Sequence, residues 1–291
     1  MRIAFRKMHG CGNDYLFVDA ITQPFPLERA PELARVWSER HFGVGADGLI
    51  VLARGEQAPL RMHMWNADGS RGAMCGNGLR CLARFARDLG HAASERFVVE
   101  TDAGCRAVQL LGGDLVRAEL GAVRIEPKSR FEVDGAELEL VRGSAGNPHA
   151  VLFVADVGRA EVERLGAALQ AHTAFPGGVN VEFVQPIGSD RLRQRTFERG
   201  SGETLACGTG AAVAAIAARA AGRVAGEATF VELRGGVLRV VGEASALAIE
   251  GPARSVCDGV LELPMASSPP GALASRSGFA HPLAEESLWN T

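Results

Sequence analysis

The feature that most constrains this chain is that it builds one device twice. Residues 73–90 read AMCGNGLRCLARFARDLG and residues 205–222 read LACGTGAAVAAIAARAAG. Each has cysteine, glycine, a polar residue and glycine, followed by a helical pattern. The two cysteines, Cys75 and Cys207, stand 132 residues apart, and Asn13 and Asn147, in CGNDYLFVD and AGNPHAVLFVAD, stand 134 apart. Asn66 and Glu198 each lie nine residues before their cysteine, and Gly48 and Asn180 each lie 27 before. Four matched pairs in one order at a nearly constant offset imply an internal duplication. The expected fold class is therefore α/β (α+β), with two pseudo-symmetric domains facing each other across a cleft.

Short runs rich in branched and aromatic residues read as strands, among them YLFVDA, LIVLA, LRMHMW, RFVVET, AVQLL and VRAEL before residue 121. HAVLFVAD, VNVEFVQ, RLRQRTFE, ATFVEL and VLRVVG follow. Helices are fewer: one within PLERAPELARVWSER, one after Cys75, VERLGAALQAH, and one after Cys207. The helix after Cys75 has an apolar face of Leu79, Leu82, Phe85, Ala86 and Leu89 and a polar face of Arg80, Arg84, Arg87 and Asp88. The helix after Cys207 is apolar all round up to Arg219, which predicts that strands enclose it. Gly90 and Gly222 stand where C-terminal caps belong. The predicted division is a first half over 1–120, completed by a return strand within 253–265, a second half over 121–252, and a Ser-, Pro-, Gly- and Ala-rich tail over 266–291.

Composition removes several classes. A net charge of −3 and 6% aromatic residues provide neither a basic footprint nor stacking platforms for nucleic acid. No uninterrupted apolar run is long enough to span a membrane, and MRIAFRKMHGCGNDYLFVDA lacks the features of a secretory signal. The six cysteines form no Cys-x-x-Cys and no zinc-finger spacing with histidine, so no metal is expected. They point to a reducing cytoplasm, with Cys11, Cys81, Cys105 and Cys257 expected to be packing residues. GVGADG at 43–48 satisfies Gly-x-Gly-x-x-Gly, but a strand follows it where a helix should. Nicotinamide binding is excluded on that ground, and no lysine stands in a pyridoxal-like context, so no cofactor is expected.

The doubled device has a chemistry of its own. A helix N-terminus offers unpaired N–H groups and about half a positive charge, and glycines let an anion approach the backbone. The same field is expected to lower the cysteine pKa from about 8.5. Two copies face to face would hold one small anion between two sulfurs. That arrangement suits inversion of a carbon bearing a C–H: one thiolate removes the proton and the opposite thiol returns one.

MHGCGNDY, GVGADG, WNADGS, MCGNG, GNPHAVLFV, VNVEFV, ERGSGET and ACGTGAAV together resemble the signature of the diaminopimelate epimerases, in the right order over about residues 3–264. The resemblance implies a cofactor-independent epimerase that interconverts LL- and meso-diaminopimelate on the route to lysine and peptidoglycan. It also implies two pseudo-symmetric domains, each a mostly antiparallel rolled sheet around a central helix. By motif, Cys75 and Cys207 correspond to the catalytic pair, and His149 and Glu198 to groups that assist the thiols. Asn13, Asn66, Asn147, Asn180, Glu198 and Arg199 correspond to substrate contacts, and the Gly76-Asn77 and Gly208-Thr209 backbones to a carboxylate cradle. Gly48 departs from members of the family that carry Gln there, which puts one side-chain contact in question.

Three other readings fit the residues. A two-thiol racemase of the same architecture acting on proline, hydroxyproline or histidine is one, although proline-racemase-like sequences tend to carry His where this chain has Asn77. A redox protein with a reversible Cys75–Cys207 disulfide is another, and a non-catalytic binding module the third. The expected partner is a small-molecule substrate, and a homodimer is left open.

Overall fold

The computed structural model describes residues 1–263. The expected tail over 266–291 lies outside the described residues. The first half runs β1 (Arg2–Gly10), β2 (Asn13–Asp19), α1 (Ala30–Ser38), β3 (Gly48–Arg54), β4 (Leu60–Asn66), β5 (Arg71–Gly72), α2 (Gly76–Asp88), β6 (Arg96–Thr101), β7 (Gly104–Gly112) and β8 (Leu115–Gly121). The second runs β9 (Arg124–Ile125), β10 (Ser129–Val133), β11 (Ala136–Ser144), β12 (Pro148–Phe153), α3 (Val162–Ala171), β13 (Asn180–Pro186), β14 (Arg191–Glu198) and β15 (Gly202–Thr204). It continues through α4 (Gly208–Ala220), β16 (Ala228–Leu233), β17 (Gly236–Val241) and β18 (Leu247–Pro252), and β19 (Arg254–Glu262) ends the described chain.

The duplication is visible strand by strand. In the first half β1–β2 is antiparallel, β2–β3 parallel, β3–β4 antiparallel, β4–β6 parallel, and β6–β7 and β7–β8 antiparallel. The set β11–β12, β12–β13, β13–β14, β14–β16, β16–β17 and β17–β18 repeats that pattern in the same senses. Four ladders depart from it, two of them the antiparallel pairings of β10 and of β9 with β11. β19 returns to pair antiparallel with β1, from Arg2↔Glu262 to His9↔Arg254, and β18 pairs antiparallel with β8.

Each half rolls its strands around one helix because that helix carries apolar surface on more than one side. Around α2, Leu79, Leu82 and Phe85 pack with Phe17, Ile50, Met62, Val99 and Val116. Around α4, Ala211 to Ala218 pack with Val184, Leu192, Val231, Leu238 and Val240. Alanines suit this place: they cost no side-chain entropy and let the wrapping strands come close. The outer helices α1 and α3 cover the opposite faces of the same strands, α1 with Leu33, Ala34 and Trp37, α3 with Val162 and Leu169. Both central helices end as expected, Gly90 at φ 78° and Gly222 at φ 65°, a region where glycine pays no Cβ penalty.

Two expectations need correction. Arg80 does not lie on a solvated face: it is fully buried. The N-terminal turns of α2 run under β1 and β18, where the backbones of Gly10 and Gly251 leave room for the guanidinium. Cys105 and Cys257 are exposed on β7 and β19 rather than packed, whereas Cys11 and Cys81 are buried. No helix among the described residues is long and apolar enough to cross a membrane.

Candidate active site

Cys75 and Cys207 are the N-caps of α2 and α4. Both have extended backbones (φ −129°, ψ 123° and φ −119°, ψ 110°), and each sulfur accepts an N–H from the residue three further on. Gly78 N lies 3.5 Å from the Cys75 Sγ and Gly210 N 3.3 Å from the Cys207 Sγ. The two helix starts converge on one side chain. A Cβ at Gly76 would lie 2.8 Å from the Ile249 Cδ1, and one at Gly208 would lie 3.0 Å from the same atom. Glycine at these paired positions lets both helix starts close on the Ile249 side chain, which brings both sets of free N–H groups to one place. Asn77 links the halves: its Nδ2 donates to the Asn13 Oδ1 at 3.3 Å and to the Ala206 carbonyl at 3.5 Å.

The thiols do not follow the expected downward shift. Burial pushes both up, Cys75 above its usual value and Cys207 further. The backbone N–H groups lower each, as the helix field requires, but desolvation of a thiolate outweighs them. Cys207 also faces the carboxylates of Glu198 and Glu182, which raise it again.

The candidate residues fall into two layers. Asn13, Asn66, Glu198 and Arg199 line a cavity of about 910 Å³, together with Tyr15, Arg40, Asp47, Asp68 and Glu203. The sulfurs sit behind that wall: the Cys75 Sγ donates to the Asn13 Oδ1 at 3.3 Å, and the Cys207 Sγ lies 3.5 Å from the Thr209 Oγ1. Asn147, His149 and Asn180 do not line the cavity either. His149 is buried, with its Nε2 3.0 Å from the Asn147 Oδ1 and its Nδ1 2.8 Å from the Glu182 Oε1. The Asn180 Oδ1 accepts the Arg199 N–H at 2.8 Å and so fixes the turn that presents Arg199. The Arg199 guanidinium donates to the Gly177 carbonyl at 3.0 Å and makes no ion pair among the described residues. Asn66 Nδ2 donates to the Ser70 Oγ at 2.9 Å. Glu198 accepts from the Thr204 hydroxyl at 2.5 Å, and burial raises its carboxyl above the usual range.

Gly48 has a physical explanation. A Cβ there would lie 2.2 Å from the Trp65 carbonyl and 3.0 Å from the Tyr15 ring, so no longer side chain fits. The Tyr15 ring occupies that space. Tyr15, the single tyrosine of the chain, faces Cys75, and its phenol is pushed well up by burial and then by the sulfur.

Residue types alone gave no reason to single out Tyr15, Asp47, Arg80 or Glu182. Asp47 accepts from the Asn13 Nδ2 at 2.7 Å, and the Arg40 Nη2 bridges it to Asp14 at 2.8 and 3.0 Å. This orients the amide that touches Cys75. The repeat held a usable signal for Tyr15, which occupies the His149 position when the halves are aligned on Asn13 and Asn147. Among groups of three donors that could hold a metal, His149, Glu182 and Cys207 lie within 4.8 Å of one another. His149 and Glu182 are already joined by a hydrogen bond.

Comparison with known proteins agrees with this architecture. The family model described as "Diaminopimelate epimerase" matches residues 5–126 and 143–254, one block in each half. A diaminopimelate epimerase of Geobacillus kaustophilus is 40% identical over 277 residues, covering 88% of this chain and 96% of that protein. One from Alkalilimnicola ehrlichii is 41% identical over 281 residues, covering 90% and 100%. Among solved structures, a PhzF-family phenazine biosynthesis protein of Bacillus anthracis superposes with a TM-score of 0.72 at 16% identity, covering 90% of this chain and 100% of that one. A hydroxyproline epimerase of Agrobacterium vitis with bound trans-4-hydroxy-L-proline gives 0.64 at 18%, covering 89% and 91%. At such identities the structural likeness shows the fold alone. The family match in both halves and the close relatives along nearly the whole chain establish that it belongs to the diaminopimelate epimerase family, isomerases of the racemase and epimerase class.

Proposed function

We propose that this protein interconverts LL- and meso-diaminopimelate by a two-base mechanism, with Cys75 and Cys207 on opposite faces of one α-carbon. The observation that carries the reading is the convergence of two cysteine-capped helix starts on Ile249. The α-carboxylate would lie against the N–H groups of Gly76, Asn77, Gly208 and Thr209, where two helix N-termini favour negative charge. As one sulfur removes the α-proton, charge grows toward that carboxylate, and donors fixed beforehand stabilise it most in the transition state. The opposite thiol then delivers its proton to the other face. Placing the sulfurs behind the polar wall limits water around the carbanion, and burial makes each thiolate a stronger base once formed.

The distal end of the substrate carries an ammonium and a second carboxylate. Arg199 takes the carboxylate in a forked pair, and Asn66 and Asn147 supply neutral amide contacts. His149 and Glu198 assist Cys207, and Asn13 assists Cys75. The reading calls for no cofactor. In this division residues 1–120 with β19 form one half and 121–252 the other. Six free thiols suit the reducing cytoplasm, where lysine and peptidoglycan precursors are made.

The test is incubation with LL-diaminopimelate in heavy water without added cofactor. Deuterium should enter at the α-carbon that inverts, with meso product forming. Absence of exchange and inversion, or inversion of proline or hydroxyproline in its place, would overturn the assignment.

A further inference from the structure

The two halves can be compared residue against residue: near the sulfurs they differ at Tyr15/His149, Asn66/Glu198, Gly48/Asn180 and Asn77/Thr209, and two further exceptions put a fully buried charge in one half alone. Gly78 and Gly210 are equivalent, each giving its N–H to a sulfur. Each also makes room for the side chain at one position of the neighbouring strand. A Cβ at Gly78 would lie 2.5 Å from the Ile50 Cδ1, and one at Gly210 would lie 2.4 Å from the Glu182 Oε1. The ladders confirm the equivalence, since Ile50 pairs with Phe17 as Glu182 pairs with Val151. The first half therefore puts a methyl group where the second puts a carboxylate. The second exception lies on the helices. Arg80 in α2 corresponds to Ala212 in α4, and both positions are fully buried.

Both odd residues are charged and enclosed. The Glu182 side chain is 0% exposed. Its Oε1 is held by His149, and its Oε2 has no hydrogen-bond partner among the described residues. Arg80 donates to the Asn77 Oδ1 at 2.8 Å and to the Gly76 carbonyl at 3.3 Å, and makes no ion pair among the described residues. In a dry interior such charges act strongly on neighbours. The Arg80 charge acts on Cys11 and Cys81 and then on Cys75, which it reaches through Asn77 and Asn13, and the Glu182 carboxylate lies within 4.8 Å of the Cys207 sulfur. Around Cys75 stand Asn13 and Tyr15 from β2, Asn77 and Arg80 from α2, and Glu198 from β14. Around Cys207 stand His149 from β12, Glu182 from β13, Glu198 from β14 and Thr209 from α4. Glu198 acts on both sulfurs, more on Cys207, to which its carboxyl is hydrogen-bonded, and so adds to the difference between them.

We propose that Arg80 and Glu182 are positioning residues that make the two thiols unequal: Arg80 eases the ionisation of Cys75, and the enclosed Glu182 carboxylate keeps the resting proton on Cys207. The inference rests on the two-base reading above. Cys75 then meets the substrate as the base and Cys207 as the acid, and the roles exchange on each inversion.

The experiment reads each sulfur separately. The protein is alkylated with iodoacetamide across about pH 6 to 11, and mass spectrometry gives the rate at each cysteine, whose midpoint reports its thiolate. Wild type should show a lower midpoint for Cys75 than for Cys207. Glu182→Gln, nearly isosteric, should lower the Cys207 midpoint by about one unit and leave Cys75 in place. Arg80→Gln should raise the Cys75 midpoint and leave Cys207 in place. With LL-diaminopimelate, Glu182→Gln should lower kcat by about tenfold with KM little changed, since the cavity wall is untouched. Equal midpoints in wild type, or a Cys207 midpoint unmoved in Glu182→Gln, would overturn the proposal. The midpoints need no turnover, so a failure of the substrate assignment appears separately, as absent epimerisation by wild type. Should Arg80→Gln not fold, Glu182→Gln decides alone.

Discussion

Replacing Gly210 by alanine should be far more damaging than the same change at its counterpart Gly78, although both lie in the third position of a buried helix. At Gly210 the new methyl would meet three atoms of one side chain, the Glu182 Oε1 at 2.4 Å, Cδ at 2.9 Å and Cγ at 3.1 Å. That carboxylate cannot rotate away without breaking its 2.8 Å bond to His149 in a fully enclosed site. Overpacking costs about 1–3 kcal/mol, and loss of a hydrogen bond to a charged group about 1.5–3 kcal/mol. The gain in helix propensity returns at most about 1 kcal/mol. The net destabilisation is about 2–4 kcal/mol, a fall in Tm of roughly 5–15 °C for a protein of this size. At Gly78 the methyl meets the Ile50 Cδ1 at 2.5 Å and the Met62 Cε at 3.3 Å, both ends of flexible apolar side chains. Their movement should keep the change within about 1 kcal/mol. Urea and thermal unfolding of both variants, followed by circular dichroism, measure the difference. Equal stabilities, or a less stable Gly78→Ala, would refute the view that the second half holds a rigid carboxylate where the first holds a movable methyl group.

If Arg199 holds the distal carboxylate as proposed, Arg199→Ala should reduce kcat/KM for diaminopimelate by about 10- to 100-fold, mostly through KM, because the sulfurs are untouched; steady-state kinetics reads this directly. Glu203 supplies a pH test. The Arg195 fork, at 2.7 Å on each oxygen, holds its carboxyl below the usual range. A folded-state value below the unfolded one contributes stability that is full above the unfolded value and fades as pH falls through the folded one. Arg195→Gln should therefore cost about 1 kcal/mol near neutral pH, after solvent screening, and progressively less as Glu203 protonates below about pH 4. Denaturant melts at neutral and acid pH check the trend, and a penalty that grew on acidification would contradict it.

The two cysteine-capped helix starts were readable because duplication leaves paired spacings. The α2 and α4 starts, their caps and the strands RFVVET, RLRQRTFE and ATFVEL all stand where the residue pattern puts them. Strand β1 was not legible, because IAFRKMH mixes basic and apolar residues and is completed only by its distant partner β19. β10 and β11 carry charges at most outward positions, and β18 hides the apolar LAIEG among glycine and proline. Arg80 was misplaced for a different reason. Helical periodicity assigns one face to solvent, but another layer covers the first turns of α2, and no spacing rule within the helix reports that. The sulfur acidities needed the surroundings as well: a cap position lowers a thiol only where burial does not win, and burial depends on the whole fold.

The pairing of β1 with β19 has a consequence for how such a chain is made. Eight residues of the first strand find their partners among the last residues of the described chain, from Arg254 to Glu262. During synthesis, Arg2–His9 can zip to β2 as soon as both leave the ribosome, but its other edge has nothing to bind until more than 240 further residues have been translated. For that interval the nascent protein displays an open β-edge beside buried-type residues such as Ile3 and Phe5, a standing invitation to stick to its neighbours. A message cut short before β19 would make that interval permanent.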